Sequence, residues 1–230
     1  MRHWIWVVAA FVAITPFTVN AAGAEPVGSA GALISGKSPD GLGTWTVRYQ
    51  HFDGNSPVAA VINDRIDDAA NHEVQHATWN GSTRRPWTFD ATGTINVRPT
   101  TVSEIFVGQY NTDEPNMPMQ SLGSVVCDSR SGTVITWDNL FQDKTSGLTR
   151  LSAEVEARLA PAASSNELRD WRRSGQFAPI DVNFKHWVAT PQGIELHFPP
   201  LQFGRGLKIV TVPWASMSDQ ITPEFVAITE

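Results

Sequence analysis

Apolar and polar positions alternate most sharply between Gly193 and Met217 (GIELHFPPLQFGRGLKIVTVPWASM). Ile194, Leu196 and Phe198 alternate with Glu195 and His197, so one face of this run is buried and the other wet. Leu207, Ile209, Thr211 and Pro213 then alternate with Lys208, Val210 and Val212. Pro199-Pro200 closes the first run because proline has no N–H for a sheet ladder, and Gly204 and Gly206 give the backbone freedom to return. The pattern predicts a β-hairpin whose apolar face needs a covering layer.

Helical spacing elsewhere supplies that layer. Val58, Val61, Ile62, Ile66, Ala69, Ala70, Val74 and Ala77 predict an amphipathic helix over 57–79, with Asp64, Asp67, Asp68, Asn71 and Gln75 on its polar side. Ser56 caps it, Pro57 occupies the first helical position, and Asn80-Gly81 ends it. Leu148, Leu151, Val155 and Leu159 predict a second helix over 146–160, stopped by Pro161, and a third covers Ser165 to Arg173. Strands are predicted at 44–52, 88–97, 102–109, 122–128, 133–137 and 182–189, with a short helical turn at 137–141. The fold class is therefore α+β: a mostly antiparallel sheet packed by the N-terminal amphipathic helix and the helix near 146–160.

Composition narrows the class of partner. The 230 residues are 41% hydrophobic with a net charge of −6, which excludes non-specific nucleic-acid binding and supplies no basic stripe for a membrane. Residues 1–24 read as a secretory signal, with Arg2 and His3 before the apolar Trp4 to Val19 and a small-x-small site at Ala22-Gly23-Ala24. Retention of this segment as an anchor is the alternative, but it is short for a span and Pro16 interrupts it. Residues 25–43, rich in Gly, Ala, Ser and Pro, are expected to be a flexible lead-in, and 44–230 a single α+β domain. The expected location is secreted, extracellular or cell-wall associated. Cys127 is the only cysteine and reads as a small buried hydrophobe in a strand.

The sharpest chemical motif is His72-Glu73-Val74-Gln75-His76, which matches the His-Glu-x-x-His pattern of zinc proteases. Histidines at i and i+4 share a helix face and can both hold zinc, while the glutamate activates water. The alternative reading of the chain is therefore a zinc hydrolase or metallopeptidase with Glu73 as catalytic base and His72, His76 and Glu104 as ligands. Against it, the helix ends one turn later without a further histidine, and Glu104 lies on a predicted strand. The plainer reading puts His76 at the rim of a helix end and Glu73 in solvent or beside a basic residue, with no catalytic residue, no metal and no cofactor.

Other signals are weaker. No Gly-x-Ser-x-Gly turn is present for a serine esterase. Asp181, Glu195 and His197 lie on the C-terminal strands, but Glu195 and His197 share the face opposite Ile194 and Phe198, so they are expected in solvent. Nine tryptophans raise a third possibility, a cell-wall glycan-binding module. Trp45, Trp137, Trp187 and Trp214 sit in alternating runs or beside helical turns, which favours core packing over a sugar platform.

Four stretches carry a family resemblance. Val61-Ile62-Asn63-Asp64-Arg65-Ile66, Gly132 to Phe141, Thr190-Pro191-Gln192-Gly193-Ile194, and Phe198-Pro199-Pro200 with Gly206 and Val210-Thr211-Val212-Pro213-Trp214 resemble, in order, elements of the secreted immunogenic protein family of mycobacteria. That family is related to the extracellular lysozyme-sensing domain of the sigma-V anti-sigma factor. The resemblance implies an exported α+β binding protein whose partner is an extracellular protein, of host origin or lysozyme-like. Two departures concern the contact surface: Asn111 to Pro118 stands where a Gly-Gly-x-His loop is usual, and Pro200 to Gly206 replaces a longer tyrosine-bearing hairpin loop. The expected function is thus non-catalytic binding through loops at the sheet rim, with Leu201, Phe203, Arg205, Glu114 and Met117 as contact residues, and with neither nucleic acid nor, once the signal is removed, a membrane as partner.

Overall fold

The computed structural model describes residues 29–230, so the expected signal segment lies outside the described residues. Among them, no helix is long and apolar enough to cross a membrane. The architecture is α+β, built on a five-stranded sheet and a three-stranded one. The large sheet runs in sequence order through β1 (Ser29–Lys37), β2 (Gly43–Phe52), β3 (Trp87–Val97), β4 (Thr101–Thr112) and β5 (Met119–Asp128). Every pairing is antiparallel except β2 with β3. That parallel pair needs a crossover, which α1 (Pro57–Asn80) provides.

The strand β1 corrects the expectation of a flexible lead-in over 25–43 for residues 29–37, while residues 25–28 lie outside the described residues. Small residues suggested a linker, yet all nine positions pair with β2, from Ser29 opposite Phe52 to Lys37 opposite Thr44. A ladder is held by backbone groups and tolerates small side chains, and Ala32 and Ile34 still pack on the core below.

The helix α1 starts as the sequence implies: the Ser56 hydroxyl accepts the Ala59 N–H at 3.0 Å, and Pro57 opens the first turn. Its buried stripe is Ala59, Ile62, Ile66, Ala70, Glu73 and Ala77, so one carboxylate lies in line with the apolar residues while Val61 is partly exposed. This stripe packs on β2, β3, β4 and β5, over Val47, Tyr49, Phe89, Ala91, Ile95 and Phe106.

The small sheet comprises β6 (Trp187–Thr190), β7 (Gly193–Phe198) and β8 (Lys208–Pro213), with β7 in the middle. The inner face of its hairpin, Ile194, Leu196, Phe198, Val210 and Val212, is buried against α2 (Trp137–Leu140) and α3 (Lys144–Leu159). Trp137 stacks on Trp187 at 4.7 Å and on Phe141 at 5.3 Å between ring centroids, and Trp214 donates its indole N–H to the Thr190 carbonyl. These rings are therefore core, as the alternating pattern implies. The exposed α4 (Ser165–Arg173) carries a capping box in which Ser164 and Glu167 satisfy each other's backbone N–H groups.

Two predicted strands are shorter than expected. Residues 133–137 make one bridge, Val134 with Cys127, before Thr136 caps α2. The stretch 182–189 begins with a helical turn at 181–183, because the Asn183 amide donates to the Gly175 and Ala178 carbonyls; the strand starts only at Trp187.

The predicted contact residue Phe203 is fully buried at 1% exposure, against Phe177, Phe198 and Trp171. The loop between β7 and β8 folds back, with Leu201 donating to the Gly204 carbonyl, and drops this ring into the core. Phe203→Ala should therefore cost about 3–5 kcal/mol in chemical denaturation, whereas Leu201→Ala, at a side chain 78% exposed, should stay within about 0.5 kcal/mol.

Candidate functional site

A cleft of about 430 Å³ opens where α1, β5 and the segment before β6 meet. One wall carries His72, Glu73 and His76 from α1; the opposite wall carries Lys185, His186 and Pro199; residues 120–124 of β5 form the floor. The helix repeat puts His72 and His76 on one rim a turn apart, while Glu73 turns inward. The cleft thus gathers the histidine motif with three residues that the sequence did not single out: Ser121, Lys185 and His186. No spacing rule links positions 72–76 to 185–186, which meet only because the small sheet docks beside β5, through Ser124 bonding to both the Lys185 carbonyl and the Trp187 N–H.

Glu73 is 4% exposed and accepts from the Ser121 hydroxyl at 3.3 Å. This corrects the expectation that it reaches solvent. Gly123 makes the space: a Cβ there would lie 2.2 Å from the Glu73 carboxylate. Burial raises its pKa, partly opposed by the Ser121 bond and the positive charges of His72 and Lys185. His76 is shifted down by partial burial and by Lys185 and His72. Burial drives His186 down to about 3, with Lys185, His197 and His76 adding repulsion. His186 is therefore neutral at ordinary pH, and Lys185 is the fixed positive charge of the cleft.

Glu195 and His197 are not free in solvent either. They pair at 2.9 Å with side chains 30% and 10% exposed, because the His197 N–H reaches the His186 carbonyl and that segment shields the ring.

The zinc ligand set considered above does not assemble. Among the described residues no three His, Cys, Asp or Glu side chains come close enough to hold a metal ion. Glu104 lies at zero exposure beneath Tyr49 and Gly93, engaged elsewhere. The β2–β3 pairing ends at Arg48 opposite Thr92, and the two strands then part. Two side chains bridge the fork: the Glu104 carboxyl accepts the Gln50 N–H at 2.9 Å, and the Gln50 side chain accepts the Ile95 N–H at 3.3 Å. Glu104 stands in for missing ladder partners. Nearby, Asp67 of α1 accepts from the Tyr49 hydroxyl at 2.5 Å and pairs with His51 at 2.7 Å. Burial raises the Asp67 pKa, but these two bonds outweigh it and leave the group shifted down.

The remaining predicted contact residues lie on exposed loops. Leu201 and Arg205 occupy the β7–β8 loop; Glu114 and Met117 occupy the β4–β5 loop, where Glu114 lies 3.6 Å from Arg85. Gln120 follows one loop and Pro199 leads into the other, and both line the cleft. Cys127 is buried and its thiol is pushed up to about 11 by burial, which makes it inert.

Burial pushes the Glu104 carboxyl up to about 8 from an ordinary value of 4.5. The folded chain thus holds this proton more tightly than the unfolded chain. Its contribution to stability is complete below about pH 4.5 and is lost as pH rises through about 8. Glu104→Gln keeps an oxygen for the Gln50 N–H and removes the charge. Its melting temperature should fall less than that of the wild type between those limits; an equal fall in both proteins would refute the assignment.

No family model matches the sequence, and no curated protein matches it. Among solved structures, a DUF3298 family protein from Pseudomonas aeruginosa PAO1 aligns with a TM-score of 0.54 at 11% identity, over 86% of this chain and 96% of that one. A DUF3298 family member from Bacteroides fragilis NCTC 9343 aligns with a TM-score of 0.59 at 9% identity, over 88% and 96%. At such identities the likeness is one of fold, and it agrees with the α+β architecture read from the sequence.

Proposed function

We propose that this chain is a secreted, non-catalytic module that binds an extracellular protein through the cleft and the two loops that leave it. The observation that carries this reading is where the carboxylates of the histidine motif's candidate site lie: Glu73 is buried on Ser121, and Glu104, outside the cleft, is committed to the β2–β3 fork. What remains open to a partner is a rim of polar and apolar side chains on a rigid sheet, the usual setting for recognition. Leu201 is 78% exposed, and the Gln202 amide ties its loop to the Asn183 carbonyl, beside Ile180 and Val182 at 50% and 60% exposure. Arg205 and Glu114 add charge at either side. The resemblance to secreted immunogenic proteins and to a lysozyme-sensing domain supports an extracellular protein partner, of host origin or lysozyme-like.

Immobilised chain titrated with lysozyme, and with fluid from around the producing cells, tests the reading. The wild type should retain a protein, and Leu201→Ala with Arg205→Ala should weaken retention by about tenfold, as expected for rim contacts that include one anchor. The melting temperature of that double variant should be unchanged. Zinc-dependent hydrolysis of a protein substrate that disappears in Glu73→Gln and His76→Ala would overturn the reading in favour of a hydrolase.

A further inference from the structure

The floor of the cleft is a sheet edge whose outward backbone groups at Gln120 and Leu122 find no backbone partner among the described residues. In β5, the Asp128 N–H donates to the Thr133 carbonyl, and the Val126 carbonyl accepts from the Ile135 N–H. Even-numbered residues of this strand therefore aim their backbone away from β4, since facing directions alternate along an antiparallel strand. Residues 133–135 cover that side only at Val126 and Asp128. At Gln120 and Leu122 the same outward N–H and C=O groups meet no backbone partner among the described residues, although both residues pair regularly with β4 on the other side, opposite Gln109 and Val107. This stretch is roughly 10–14 Å long at the usual rise per residue. It is also the stretch that lines the cleft.

We propose that the edge at Gln120 to Ser124 receives an extended peptide segment of the partner as an added strand, with an acidic side chain of that segment meeting Lys185. Strand addition satisfies the outward groups, with main-chain hydrogen bonds giving affinity and alternate side chains giving specificity. The walls select the occupant. α1 with His72 and His76, and the segment of Lys185 and His186, line the same cleft as this edge. Lys185 sets the charge preference. It is exposed and takes part in none of the ion pairs among the described residues. This proposal rests on the binding reading above and specifies its mode.

The test uses the purified chain and a blocked pentapeptide, acetyl-Thr-Val-Glu-Val-Thr-amide, at millimolar concentration, followed by amide hydrogen exchange in NMR. The Gln120 and Leu122 amides should be protected by about tenfold, the sign of newly hydrogen-bonded groups. Replacing the peptide's Glu by Lys should weaken binding by about twofold to fivefold, the scale of an exposed ion pair, and Lys185→Ala should erase that preference. Gln120→Pro removes one outward N–H at an exposed position without touching the β4 pairing; it should abolish peptide protection at an unchanged melting temperature. Unchanged exchange at both amides, or preference for the Lys peptide, overturns the proposal. Protection that appears without peptide and rises with protein concentration alongside a doubled mass assigns the edge to a second copy and also overturns it. If Gln120→Pro retains the extracellular protein with full affinity, strand addition fails while the binding reading stands. If the peptide docks as described but no protein is retained, the edge site stands and the binding reading fails.

Discussion

Strand β5 has to serve two hydrophobic cores at once, and the rest of the structure follows from how it does so. Successive side chains of a strand point to opposite faces. Val125 and Cys127 therefore enter the core beneath α1, while Val126 enters the core built on the β7–β8 hairpin. A slip of one residue would exchange these sets and empty both cores. The register is fixed by ten consecutive pairings with β4, from Thr101 opposite Asp128 to Tyr110 opposite Met119. Covering helices, docked hairpin and cleft are then located relative to this one strand.

The same constraint explains why the cleft exists. The second half of β5 is closed by the bridge from Val134, which starts the chain toward α2 and the hairpin core. Among the described residues the first half has no such backbone partner, and the segment leading into the small sheet is tied to β5 through the Ser124 hydroxyl. Between α1 and the turn at Lys185 a gap remains whose floor is main chain. In that gap burial raises the pKa of Glu73, packed against Gly123, and lowers that of His186 beside Lys185. A motif with the spacing of a metal site thus becomes the wall of a groove, because its glutamate faces the sheet and its third candidate ligand fills a fork between strands elsewhere.

Glu104 illustrates how a costly group can persist in a core. Where β2 and β3 diverge, backbone N–H groups of Gln50 and Ile95 would be buried without partners, which is expensive. A carboxyl and an amide side chain substitute for the lost ladder. Its second oxygen finds no partner among the described groups, in keeping with a carboxyl that is protonated rather than ionised. Tyr49, His51 and Asp67 then tie the same region of β2 to α1.

Local pattern alone determined the elements whose signals are local: the Ser56-Pro57 start of α1, the bounds of α4, the hairpin with its glycine-bearing return, and the burial of Trp137, Trp187 and Trp214. Periodicity and capping are written within a few residues, so they survive without knowledge of the fold. Tertiary structure alone decided that Ser29 to Lys37 is a strand, since a ladder of small residues depends on the neighbour and not on its own side chains. It decided that Phe203 is core rather than contact surface, because the loop's fold-back, not the residue type, directs the ring. It also brought Lys185 and His186 across from α1 and left Gln120 and Leu122 open. Which groups face one another across a long loop of chain is set by packing, and no spacing in the sequence encodes it.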